Sequence, residues 1–163
     1  MTVIPEDPMD NYRSYFLLLA VACLIAVAGI NCDSIAPKQG NKLFHEGRGL
    51  VITGNYSAAI PVLSKYMHLH PSGKHASRAG LFLGKAYLGL GDTTKAAEIW
   101  SLTVKNYPAT LEGHKCRYKL AMLLMLTGEK DQAIEAFGKL ANSPDGPLAP
   151  EAEAMRKFLL SND

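Results

Sequence analysis

The chain has 163 residues and a formal net charge of +2, with 20% charged and 8% aromatic residues. This balanced charge excludes a nucleic-acid binder that depends on bulk electrostatic attraction, while the length is sufficient for one domain with a hydrophobic core. Apolar residues recur at intervals of three and four, and no stretch alternates strictly, so an all-α fold is predicted.

The first predicted element is an uncharged apolar helix, YFLLLAVACLIAVAGI, at residues 15–30. A helix of this length rises about 24 Å, slightly less than a hydrocarbon core of about 30 Å. Neighbouring polar residues can extend it a little. We therefore predict an N-terminal tail at 1–14, a transmembrane or signal-anchor helix at 15–31, and a polar linker at 32–40.

Two other interpretations of this segment are open. Ala26 and Ala28 form the small-x-small pattern of a cleaved secretory signal. Alternatively, Cys32 could carry the lipid of a lipoprotein, because it follows the apolar segment directly. Of the three, an uncleaved single-pass anchor is the one that we predict.

A repeat of constant period follows the linker. A shift of 37 residues aligns four sets of positions: Gly47, Gly84 and Ala121; Gly54, Gly91 and Gly128; Ala59, Ala96 and Ala133; Leu63, Trp100 and Phe137. Each copy is predicted to be a hairpin of a helix A (41–53, 75–90 and 112–127) and a helix B (56–70, 93–107 and 130–142). Glycine at each A-to-B turn can adopt the positive φ that ends a helix. Small residues let the two helices approach closely, and large apolar residues fill the space beyond.

The best-defined copy resembles the tetratricopeptide repeat (TPR), whose pattern is W-x2-L-G-x2-Y, A-x3-F and P. The resemblance is carried by Leu83-Gly84, Tyr87, Ala96, Trp100 and Pro108, whereas Gly80 stands in the tryptophan position. Residues 41–147 are thus expected to form an α-solenoid of three hairpins. The longer repeats are similar to those of bacterial envelope proteins, including the Tol–Pal-associated coordinator and the outer-membrane assembly lipoprotein.

The last segment, 148–163, is expected to hold a capping helix at about 148–160 and a short tail. A solenoid needs such a helix to cover its last apolar face. Met155, Phe158 and Leu159 are predicted to cover that face, while Arg156 and Lys157 face water.

The resemblance implies that the A helices line a partner-binding groove. The positions expected there are Phe44, Arg48, Arg78, Leu81, Lys85, Lys115, Tyr118 and Met122. The charged members of this set are all basic, and the others are mostly apolar. Because guanidinium and ammonium groups bind carboxylates, such a groove suits an extended acidic peptide. Scattered solvent-exposed charges are the simpler alternative.

Other kinds of site are not predicted. His68, His70 and His75 are close in sequence but lack an accompanying carboxylate or cysteine, so no metal site is expected. No nucleophile has a recognisable base, and we predict neither an enzyme, a cofactor nor a small-molecule substrate.

The sequence thus predicts a membrane-tethered TPR scaffold, an accessory or assembly subunit of a membrane or envelope protein complex. A cleaved or lipidated periplasmic assembly factor is the alternative. The resemblance implies an extracytoplasmic globular part, which we predict, although the positive residues after the apolar helix favour the cytoplasm.

Overall fold

The computed structural model describes residues 39–143 and 146–161, and over these ranges the regular secondary structure is helical. The helices are α1 (39–52), α2 (Tyr56–Leu69), α3 (Ala76–Gly89), α4 (Thr93–Asn106), α5 (Leu111–Leu126), α6 (Lys130–Ala141) and α7 (Ala149–Ser161). The predicted anchor at 15–31 and Cys32 lie outside the described residues. Among the helices that are described, none has the length and apolar character needed to cross a membrane.

The predicted hairpins and terminal helix are present, and each end falls within two residues of its predicted position. One boundary needs correction, since α1 already includes residues 39 and 40, which the sequence assigned to the linker. Gly40 is buried, so this first turn of α1 is part of the packed structure.

The three A-to-B turns have the same backbone geometry. Gly54, Gly91 and Gly128 adopt φ values of 77°, 80° and 83°. The residue after each glycine donates its backbone N–H to a carbonyl of the preceding helix, at 2.8 Å for Asn55 to Leu50 and 3.0 Å for Asp92 to Tyr87. This arrangement is the Schellman motif, which satisfies the last carbonyls of helix A. The predicted role of the turn glycines is therefore confirmed.

Within each hairpin the small and large residues pack as predicted. Ala59, Ala96 and Ala133 have no exposed surface, and neither do Leu63, Trp100 and Phe137. In the second hairpin the indole of Trp100 lies directly over Gly84, where a Cβ atom would clash with it. Its Nε1–H donates to the Leu81 carbonyl at 3.2 Å. A large side chain on α4 thus requires a glycine on α3.

Successive hairpins share their hydrophobic clusters, and α7 closes the last one. Ala152 and Leu159 of α7 are 0% and 6% exposed and pack with Phe137 of α6. Met155 is partly buried against the same cluster, as predicted. Phe158 is 58% exposed, so the prediction that it covers the cluster is wrong. It lies one helical position from Leu159, about 100° around α7.

Candidate partner-binding groove

The A helices α1, α3 and α5 together line a groove, which we call the A-helix groove. Its volume is about 400 Å³. The lining side chains and glycine are Val51, Ile52, Tyr56, Phe82, Lys85, Leu88, Gly89, Trp100 and Lys119. The lining is therefore mostly apolar, and Lys85 and Lys119 are its charged members.

Phe82 and the basic residues around it form the centre of this groove. Lys85 Nζ lies 5.1 Å from the centre of the Phe82 ring, and Arg48 Cζ lies 6.0 Å from it. A cation near an aromatic face is attracted by the electron density of the ring. Phe82 thus holds two positive charges beside an apolar surface.

Lys85 is partly buried and close to further positive charge. Burial lowers the pKa of Lys85, and the ammonium groups of Lys119 and Lys115 lower it further. Both causes act in the same direction because each disfavours the charged form of the lysine. Lys115 and Lys119 of α5 thus act electrostatically on Lys85 of α3.

Arg78 contributes less free charge than the sequence suggested. Its Nε atom lies 3.0 Å from Oε1 of Glu112 on α5, and Ser77 Oγ donates to Oε2 of the same carboxylate at 3.4 Å. Glu112 has a side chain only 13% exposed, whereas Arg78 is 55% exposed. The ion pair connects the start of α3 to the start of α5, and it already gives this guanidinium one carboxylate partner.

Two of the predicted groove residues lie in the interior, which corrects their placement. Phe44 is 2% exposed and stacks on His75 with ring centres 4.3 Å apart. Leu81 is 6% exposed and packs in the cluster around Trp100. Both side chains are enclosed by neighbouring helices, so neither is exposed to a ligand in the groove.

Tyr118 and Met122 are partly buried on α5. The rings of Tyr118 and Phe137 meet edge-on, with 5.3 Å between their centres. Burial, and then the charge of Glu151, raises the pKa of the Tyr118 hydroxyl. Met122 packs against the cluster shared by α5, α6 and α7. Of the remaining predicted residues, Arg48 is exposed, and Lys115 is partly buried near Lys85.

The sequence reasoning missed Ile52, Phe82 and Lys119. Phe82 and Lys119 occupy the position that follows Leu81 and Tyr118 in the repeat. A comparison of the three repeat copies could have distinguished the two positions. Positions 44, 81 and 118 all carry large apolar residues, which is typical of the interior, whereas positions 45, 82 and 119 carry His, Phe and Lys. The second pattern suits a solvent-facing surface better.

The histidine-rich turn does not form a metal site in the part of the chain that the structure describes. No group of three or more His, Cys, Asp or Glu side chains is placed to hold an ion there. His75 is buried at the start of α3, and its backbone N–H donates to the Tyr66 hydroxyl at 3.1 Å. Burial, then the charges of His45, Lys74 and Arg78, lowers the pKa of His75.

Comparison with known families supports the repeat assignment. Residues 81–110 and 115–145 match the family model of the tetratricopeptide repeat. The first match covers most of α3 and all of α4, and the second covers most of α5 and all of α6. The hairpin of α1 and α2 lies outside both matches but has the same turn glycine and the same buried alanine. These repeats favour a protein-interaction scaffold.

Proposed function

We propose that this chain is a membrane-tethered scaffold whose A-helix groove binds an acidic, partly apolar segment of another protein. The partner would belong to a membrane or envelope complex, in which the chain acts as an accessory or assembly subunit. The observation that carries the binding part of this proposal is that Lys85 and Lys119 line the groove together with Phe82, with Lys85 Nζ 5.1 Å from the centre of the Phe82 ring.

The chemistry of the two lysines favours carboxylates over other ligands. Ammonium groups donate charge-assisted hydrogen bonds to carboxylate oxygens, each contributing about 1.5–3 kcal/mol where the groups are shielded from water. Ile52 and Leu88 offer apolar surface next to the charges. A segment in which acidic and apolar residues alternate would satisfy both, and its binding would weaken as salt concentration rises.

Membrane tethering is supported by the uncharged stretch at 15–31 and by the short linker that follows it. Such a linker keeps the groove close to the bilayer, where the exposed segments of a membrane complex are within reach. We place the globular part on the extracytoplasmic side, on the strength of the similarity of the repeats to those of envelope proteins. The proposal assigns no catalytic residue.

The alternative is a cleaved or lipidated periplasmic assembly factor of the Tol–Pal-associated kind, which binds its clients transiently. Ala28 and Cys32 are the residues on which this alternative depends. The intact mass of the protein purified from native membranes distinguishes the forms. An unprocessed N-terminus supports the anchor, whereas loss of the first 28 residues or a lipid adduct on Cys32 supports the alternative.

The groove is tested by charge reversal at Lys85 and Lys119 together. A C-terminally tagged chain is purified from native membranes in mild detergent, and co-purifying proteins are quantified by mass spectrometry. We expect the Lys85→Glu, Lys119→Glu variant to lose its stoichiometric partner, because two carboxylates would face the acidic segment. Arg78 is left unchanged, so that its ion pair with Glu112 is preserved.

The matched control reverses the same number of charges at Lys65 and Lys105, which are exposed on the B helices α2 and α4. This variant should retain the partner. If both double variants bind the partner equally well, the groove proposal is wrong, whereas recovery of the unmodified chain alone would contradict the accessory-subunit role.

A further inference from the structure

A second groove lies on the side of the molecule formed by the B helices α4 and α6. Two depressions of about 540 and 580 Å³ meet there, and they share Leu120 and Leu124 as a common floor. Along α5 the depressions extend from His114 to Thr127, about 20 Å at 1.5 Å per residue. We call this surface the B-helix groove.

One wall position of the groove has a shorter side chain than its counterpart in the first hairpin. Ile60 of α2 packs against the cluster that contains Leu83, which is only 3% exposed. A shift of 37 residues places Ala97 at the corresponding position of α4 and Leu120 at that of Leu83. Alanine covers less surface than isoleucine, and Leu120 is partly exposed in the groove.

The α6 side of the groove also carries a small side chain close to Leu120 and Leu124. Ala136 lies against Leu120, Ala121 and Leu124 in the first depression. The result is an apolar channel between two helices, with side chains of modest size on both sides. A channel of this form accepts the apolar stripe of a third helix, as helix-in-groove complexes do.

The two ends of the channel carry opposite charge. Arg117 and Lys139 supply the positive charge at the end nearest the start of α5, which His114 also lines, while Glu98 and Glu129 line the other depression. Arg117 Nη1 lies 3.5 Å from His114 Nδ1, and Lys139 contacts Glu135 at 2.6 Å with both side chains largely exposed. A helix in the channel would place its negative C-terminal end near the basic residues and its positive N-terminal end near the acidic ones.

We propose that the B-helix groove binds an amphipathic α-helix of a partner protein, lying antiparallel to α5. The helix would present about 13 residues with leucine-like side chains at i, i+3, i+4 and i+7, a basic N-terminal turn and an acidic C-terminal turn. Opposite charge at the two ends favours this occupant over a lipid surface, which would require one sign of charge throughout. This second site is independent of the A-helix groove.

A variant that copies the first hairpin tests the proposal. Ala97→Ile installs the α2 residue at the equivalent position of α4 and fills part of the channel. The probe is a fluorescein-labelled, side-chain-stapled 15-residue helix with a leucine stripe, three N-terminal lysines and three C-terminal glutamates. Its binding to the full-length protein in detergent micelles is measured by fluorescence anisotropy.

We expect the filled variant to bind this probe at least tenfold more weakly than the wild type, and Arg117→Glu at least threefold more weakly. Lys65→Glu, on the exposed face of α2 and outside both grooves, should leave the affinity unchanged. A peptide with its charged ends exchanged should bind less tightly. Far-UV circular dichroism verifies that each variant is folded. Absence of probe binding to the wild type, or equal affinity of the filled variant, overturns the proposal.

Cross-linking in native membranes identifies the natural occupant. A benzophenone amino acid is placed at Ser101 in the groove or, as the matched control, at Ser64, the equivalent position of α2. A cross-link specific to position 101, whose peptide from another protein has the stated apolar and charge pattern, supports the proposal. A cross-link to a second copy of the chain or to its own residues 1–38 overturns the proposal. The proposal is also overturned if positions 101 and 64 react equally or if neither reacts.

Discussion

The contact between Gly84 and Trp100 gives the sharpest test of the hairpin packing. A methyl group at position 84 would overlap the indole ring, which is completely buried. Gly49 of α1 provides the matched control, because a Cβ atom there meets nothing within 4 Å. The same substitution, Gly→Ala, is thus made in two A helices with opposite surroundings.

The expected magnitudes follow from three contributions. Overpacking a buried site costs about 1–3 kcal/mol, and loss of the hydrogen bond from Trp100 to the Leu81 carbonyl costs about 0.5–1.5 kcal/mol. The better helix propensity of alanine offsets about 1 kcal/mol of this cost. Gly84→Ala should therefore lower the free energy of unfolding by about 0.5–3.5 kcal/mol. Gly49→Ala should raise it by about 0.5–1 kcal/mol, since only the propensity term remains.

Urea unfolding of the full-length protein in detergent micelles measures both variants. Trp100 is the single tryptophan of the chain, so its fluorescence reports on the second hairpin. Far-UV circular dichroism provides an independent signal for Gly84→Ala, whose substitution changes the surroundings of the fluorophore itself. If Gly84→Ala proved as stable as the wild type, or if both variants shifted in the same direction, the register assigned to α3 and α4 would be refuted.

Three further predictions concern buried side chains. Ala96→Leu should lower the stability by about 1–3 kcal/mol through overpacking against α3, and an unchanged melting temperature would contradict the helix contact. Because the lowered pKa of His75 disfavours its charged form in the folded protein, its contribution to stability is present above about pH 6.5 and is lost as the pH falls through the lowered value. His75→Phe preserves the stacking on Phe44, and its melting temperature should decrease less than that of the wild type as the pH falls below about 6.5. An equally large decrease in the variant would exclude His75 as the cause. Burial, then the charge of Glu112, raises the pKa of the Cys116 thiol to about 12, so peptide mapping after iodoacetamide treatment at pH 8 should find Cys116 unmodified until urea unfolds the chain.

The helices were predictable from the sequence because their signals are local. Glycine at 54, 91 and 128 ends each A helix through its own backbone freedom, and the buried alanine five residues later marks the closest approach of the B helix. These signals recur at a constant period, so each copy supports the assignment of the others. For the same reason the helix ends were placed within two residues.

The partner-binding role of the groove stays a prediction, but the structure decides which residues line it. Leu81 is buried among residues of α4 and α5, whereas Phe82, the next residue, lines the A-helix groove. The ion pair between Arg78 and Glu112 is likewise tertiary, because it joins residues 34 positions apart. The exposure of Phe158 could not be predicted from the sequence either, since the apolar stripe of α7 is broad enough to allow more than one orientation against α6.

The sequence by itself therefore determined the helical repeat, its turns and the pairs of residues that contact within each hairpin, because these depend on backbone conformation and short-range packing. Only the tertiary structure decided which side chains remain on the surface between hairpins. Phe44 and Leu81 are buried while Phe82 and Lys119 line the A-helix groove, and Leu120 is partly exposed in the B-helix groove while its counterpart Leu83 is buried. The physical reason is that exposure at these positions depends on how neighbouring hairpins are rotated relative to each other, and that rotation results from contacts distributed along the whole interface.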